Sequence, residues 1–176
     1  MELKIRKETQ SDYNEVEMII RFAFEAIEHS DHKEHLLVAR LRKSDAFIPE
    51  LSLVAECDGM IVGHILLTRL IIQNDNEVFE SLALAPVSIK PEYQRKGIGS
   101  ALIFESHKIA KQLGYKSIIL LGHKEYYPRF GYEPTTKYNI RSPFKVPDEN
   151  FMVKSLEKNA MNGISGIVKY PKEFFE

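Results

Sequence analysis

Apolar and polar residues alternate in LKIRK near the start of the chain, which predicts a short strand, and TQSD behind it supplies helix-capping residues. In YNEVEMIIRFAFEAI the residues Val16, Ile19, Ile20, Ala23 and Ile27 recur at helical spacing. After the polar break HSDHK, EHLLVARLRKS reads as a second amphipathic helix, and Pro49 closes the linker that follows. LSLVAE and MIVGHILLTRLII flank Asp58-Gly59, the pair of residues that favours a tight hairpin turn. QNDNE marks another turn, and VFESLALAPVSI reads as a third strand of that antiparallel set. Ile98, Leu102, Ile109 and Leu113 define one face of a helix, with Gly114 as its stop, and KSIILL is a short apolar run expected to be a buried strand. Beyond HKEYYPRFGY the chain reads as strand and loop, punctuated by Pro134, Pro143 and Pro147, and ends in the strand candidate GISGIVKY. No repeat or linker interrupts this order, so a single domain over residues 1–176 is expected. Its class is α/β, and the long central hairpin makes the sheet mixed instead of purely parallel.

Composition narrows the function classes. Hydrophobic residues make up 44% and charged residues 28% of the 176, the balance of a globular chain able to bury a core. With 24 basic against 25 acidic residues the net charge is −1, so no overall field invites nucleic acid or an anionic membrane. MELKIRKETQ lacks the apolar stretch of a secretory signal and no run has the length of a membrane span, so a cytoplasmic protein is expected. The one cysteine, Cys57, excludes an internal disulfide and a paired-cysteine metal site. His29, His32 and His35 sit in a polar break without a fourth ligand and read as a solvated helix start, so no metal is expected.

Candidate chemistry gathers at YQRKGIGSAL, where a strand hands over to a helix. The first amides of a helix have no internal partner and carry partial positive charge, so anionic oxygens bind there when no side chain blocks them. Gly97 and Gly99 clear the approach, and Arg95 and Lys96 place two cations at the rim. The stretch is neither of two familiar phosphate loops. It has no lysine before a Ser/Thr, and Ala101 and Leu102 stand where a dinucleotide fingerprint needs its third glycine.

With its flanks, SIKPEYQRKGIGSAL resembles the signature of the GNAT family of N-acetyltransferases, a Gln/Arg-x-x-Gly-x-Gly/Ala turn opening a helix, matched by Gln94, Gly97 and Gly99. YYPRFGY resembles the family's second landmark, a tyrosine four residues before a Gly-aromatic pair, here Tyr127 before Gly131-Tyr132. The resemblance implies the GNAT fold, a mixed and mostly antiparallel sheet flanked by helices. It also implies acetyl-CoA as co-substrate, with the pyrophosphate on the backbone amides of Arg95, Lys96, Gly97, Ile98, Gly99 and Ser100. The family's central strand parts from its neighbour at a bulge. That strand is LALAPVSI here, with Pro86 lacking an N–H, and Val87 and Ile89 are the backbone groups expected to meet pantetheine.

The implied activity is transfer of an acetyl group to a primary amine. Tyr127 holds the family position of the proton donor to the leaving thiolate, a role that suits a phenol with reference pKa of about 10. Tyr126, about 100° away on an α-helix, is not expected to face the cleft in the same way. For the general base the residues leave Glu80, His64 and a water chain open. The cofactor-contacting asparagine of many members is missing from LLGHKEYY, where the contact is either absent or made by His123. The acceptor, a small-molecule or protein amine, is expected between HSDHKEH and RSPFKVPDENF; neither loop is acidic or apolar enough to name it. Family members often dimerise through their last strands, which makes a homodimer through GISGIVKY an option beside a monomer. A non-catalytic acyl-CoA-binding regulatory module is the alternative reading.

Overall fold

The computed structural model describes residues 1–176. β1 (Leu3–Lys7) pairs antiparallel with β2 (Phe47–Cys57), β2 with β3 (Met60–Gln73), and β3 with β4 (Val78–Ile89). Asp58 and Gly59, at φ of 50° and 83°, form the two-residue turn between β2 and β3. β5 (Ser117–Leu121) is parallel to β4, a neighbour that no tight turn reaches, and the crossover is α3 (Ile98–Gln112). β8 (Phe151–Ser155) and the short β6 (Glu133–Pro134) complete that side of the sheet. β9 (Gly166–Lys169) pairs with the far end of β3 and, on its other side, with β7 (Ile140–Arg141), so the last strand is not an open edge.

α1 (Tyr13–Phe24) and α2 (Glu34–Leu41) cover one face of this mixed, mostly antiparallel sheet, and α3 covers the other. Alternation along the strands serves both layers at once. Leu53, Ala55, Ile65 and Leu67 pack with Ile98, Leu102 and Ile103 of α3, while their neighbours Val54 and Leu66 pack with Val16, Ile20, Val38 and Leu41. Two covered faces explain why β2 and β3 read as nearly unbroken apolar runs.

Three boundaries differ from the periodicity reading. Pro49 lies inside β2, in the stretch between Phe47 and Ser52 where the pairing register shifts, a position where a missing N–H is tolerated. α1 stops at Phe24, which leaves Ile27 exposed beyond the helix. Leu113 is the exposed C-cap of α3, whose buried face instead runs through Ile98, Leu102, Ile103, Ser106, His107 and Ala110.

A polar cluster is sealed under α1 and α2. Arg42 donates two hydrogen bonds to Glu8, from Nε and Nη2 at 3.0 Å each, and its guanidinium stacks on Tyr13. His64 Nε2 lies 2.9 Å from Glu8 Oε2 and 3.0 Å from Ser52 Oγ. Burial opposes the Glu8 charge, yet the bonds from His64 and Arg42 outweigh it and hold the carboxyl below its ordinary range. The same burial lowers His64, against the pull of Glu8.

Candidate active site

The site begins with a defect in the sheet. Ile65 of β3 pairs with Val87 and Leu67 pairs with Leu84, so Ala85 and Pro86 together oppose the single residue Leu66. That is a β-bulge, and it falls on the one residue of the strand without an N–H to pair. On the other side, β4 pairs with β5 only at Leu82–Ile118 and Ala83–Ile119, although β5 runs on to Leu121. The two strands part there and a wedge opens between them.

The Lys90 amide donates to Val62 at 2.8 Å. Alternation in an antiparallel ladder then turns Ser88 toward β3 and the backbone groups of Val87 and Ile89 away from it, into the wedge. The Ile89 carbonyl accepts a bond from Gln94 Nε2 at 3.2 Å, which ties the glycine turn to the end of β4. Arg95 and Gly97 have φ of 62° and 83°, and this left-handed path aims the first amides of α3 at the open space. A side chain at Gly97 would meet nothing within 4 Å, so the glycine is required for its backbone conformation.

A cleft of about 700 Å³ follows from these features. Its walls include Val87, Ile89, Gln94, Arg95, Gly97, Ile98, Gly99 and Ser100 on one side, and His123, Tyr126, Tyr127 and Arg129 on the other. Phe24 and Ile27, from the end of α1 and just past it, line it as well. Lys96 is not on the wall; its ammonium lies 5.2 Å from the centre of the Tyr93 ring.

Both tyrosines line the cleft, contrary to the helical expectation, because they do not share a helix: Tyr126 stands before the 3-10 turn Tyr127–Phe130 as its N-cap, and only Tyr127 is inside it. Their rings meet edge to face at 5.0 Å. Tyr127 packs against Tyr132 and over Gly122, where an added Cβ would come within 2.5 Å of its ring. Burial, and to a smaller degree Tyr126, push the Tyr127 phenol above its ordinary value. Behind it Tyr132 shares a 2.9 Å hydrogen bond with His107 of α3, and burial, then Lys154, lowers that imidazole to about 4.

Neither named carboxylate nor named histidine base reaches the cleft. Glu80 is exposed on β4 opposite Ile71, seven positions before Val87 and so about 23 Å away along the strand. His64 is fully buried in the Glu8–Arg42 cluster on the α1 face of the sheet. His123 does stand on the cleft wall, at the end of β5, and its carbonyl accepts from the Tyr126 and Tyr127 amides. Tyr126 and Arg129 were not singled out by their sequence positions as binding groups. The adjacent tyrosines in YYPRFGY were the only available signal. No group of three or more His, Cys, Asp or Glu side chains is arranged to hold a metal ion.

A bulged central strand, a parallel neighbour splayed from it and a glycine turn at the wedge define an acyltransferase-type site. The chain belongs to the GNAT acetyltransferase family: the model of the acetyltransferase (GNAT) domain matches residues 4–135. The Escherichia coli K12 protein YjhQ, described as an uncharacterized N-acetyltransferase, is 36% identical over 133 residues, 73% of this chain and 74% of that protein. The crystal structure of E. coli YhbS, a GNAT family N-acetyltransferase in complex with CoA, superposes with a TM-score of 0.89 at 27% identity, covering 99% of this chain and 92% of that one. A GNAT family acetyltransferase from Brucella melitensis in complex with acetyl-CoA gives a TM-score of 0.80 at 31% identity, covering 98% of each chain.

Proposed function

We propose that this protein transfers the acetyl group of acetyl-CoA to a primary amine by direct attack of the amine on the thioester carbon. The observation that carries the reading is the wedge itself. Past Ala83 the backbone of β4 is released from β5, and the freed groups of Val87 and Ile89 lead to the amides at the start of α3. A pantetheine amide pairs with the former as a strand would, and a pyrophosphate accepts bonds from the latter.

Attack converts the carbonyl to an oxyanion, and its collapse breaks the C–S bond and releases a thiolate. Tyr127 is the hydroxyl on the wall suited to the sulfur. Its raised pKa makes complete proton transfer to a thiolate, reference thiol about 8.5, unfavourable. We infer that Tyr127 acts by donating a hydrogen bond as charge develops on sulfur. The amine proton leaves through His123, the one imidazole on the cleft wall, or through water.

The test is release of free thiol from acetyl-CoA across a panel of amines, beside calorimetric titration of CoA. Amine-dependent thiol release that falls roughly 10²-fold or more in Tyr127→Phe is expected. Cofactor binding without turnover on any amine would leave only a binding module.

A further inference from the structure

The glycine turn has an opposite wall that no motif announced. Tyr126 reaches across the cleft until its hydroxyl would lie 3.3 Å from a Cβ placed on Gly99. This hydroxyl makes no hydrogen bond within the protein and lies beside Gly99 in the first turn of α3. Arg129 lies behind it: its guanidinium carbon is 4.7 Å from the centre of the Tyr126 ring, and its Nε donates to the Tyr126 carbonyl at 3.0 Å. Those two contacts hold the fork in place and leave its Nη groups free, since no carboxylate lies within ion-pair distance of them. Arg95 faces the same space from the turn, also without an acidic partner.

Two guanidiniums without acidic partners and the free amides of the helix start give this end of the cleft positive charge that an anion offsets, and the hydroxyl adds a further donor. We propose that Tyr126 and Arg129 form the second half of the phosphate seat, with the Tyr126 hydroxyl and the Arg129 fork donating to the phosphoanhydride of the bound CoA. The site is thus a two-walled clamp: backbone amides of α3 hold one side of the diphosphate, and side chains of the 3-10 turn hold the other. Tyr126 carries the cofactor contact and Tyr127 the sulfur contact, which divides labour between adjacent tyrosines. The inference rests on the acetyl-CoA reading above.

Tyr126→Phe keeps the ring and Arg129→Gln keeps an exposed polar side chain, so both variants are expected to melt with the wild type. Dissociation constants are measured by calorimetry for CoA and for dephospho-CoA, which retains the diphosphate and lacks the 3′-phosphate. Each variant should weaken both ligands by roughly tenfold, the scale of one hydrogen bond to a charged acceptor. Arg129→Gln should also flatten the salt dependence of binding. Turnover of S-acetylpantetheine, which has no diphosphate, should fall by less than turnover of acetyl-CoA in both. Wild-type affinity for CoA in both variants would overturn the clamp while leaving the acetyltransferase reading intact. A loss seen with CoA and absent with dephospho-CoA would overturn it too, by moving the contact to the 3′-phosphate. No CoA binding by the wild type would overturn both readings together.

Discussion

Gly122 and Tyr127 show how one missing methyl group sets a side chain in the cleft. Gly122 does not have a left-handed backbone, so a Cβ there is opposed by what packs above it, chiefly the Tyr127 ring and, at 3.2 Å, Leu120 Cδ1. Gly122→Ala is therefore expected to displace the phenol and lower turnover by roughly tenfold, with CoA affinity held within about twofold. Adding the same change to Tyr127→Ala should cost much less than it does in the wild type, because the ring clash has been removed and only the Leu120 contact remains; steady-state kinetics on the four proteins checks the cycle. A glycine in LLGHKEYY carries no such message in the sequence. Gly99 presents a related case: its bare Cα is met by the Tyr126 hydroxyl, so the gap serves a side chain as well as a ligand. Gly97 is different again, since its requirement is a positive φ with open space around it.

Between elements, the buried Glu8–Arg42 pair joins the segment after β1 to the end of α2, while His64 brings in β3. Arg42 and Glu8 have side chains 4% and 1% exposed, and the Glu8 carboxylate keeps its charge there through His64 and Arg42. Arg42→Met would strand the Glu8 carboxylate and is expected to destabilise by about 3 to 5 kcal/mol, measured by denaturant unfolding. The bond between His107 of α3 and Tyr132 after the 3-10 turn carries a pH signature. Burial first, then Lys154, lowers the folded pKa of His107 from 6.5 to about 4. The unfolded chain therefore binds the extra proton, and stability falls as pH drops from 6.5 toward 4. His107→Gln should lose less stability than the wild type between about pH 7 and about pH 5 in the same unfolding assay. Neither feature was visible from periodicity, because each pairs side chains from elements far apart in the chain.

Across the whole molecule, most of the architecture was legible because hydrophobic spacing and turn chemistry are local. The hairpin at Asp58-Gly59, the long strand through LALAPVSI, the helix opened by Gly97 and the buried KSIILL all follow from neighbours in sequence. The cleft wall was legible where backbone signatures mark it, as at Val87, Ile89, Arg95 and residues 97–100, since a bulge and a glycine turn carry residue signatures; Lys96 lies off that wall. Side-chain chemistry was less so. Glu80 and His64 have residue types fit for a base, but strand position carries one far along β4 and strand parity turns the other onto the α1 face. His123 reaches the cleft just past β5, and Tyr126 and Arg129 by a 3-10 turn whose direction depends on what packs beneath it. Thus the sequence by itself determined the elements, their order and the turn that offers free amides, because each rests on contacts a few residues apart. Only the tertiary structure decided which ionisable groups share the cleft, because that depends on the parity, register and splay of strands far apart in the chain.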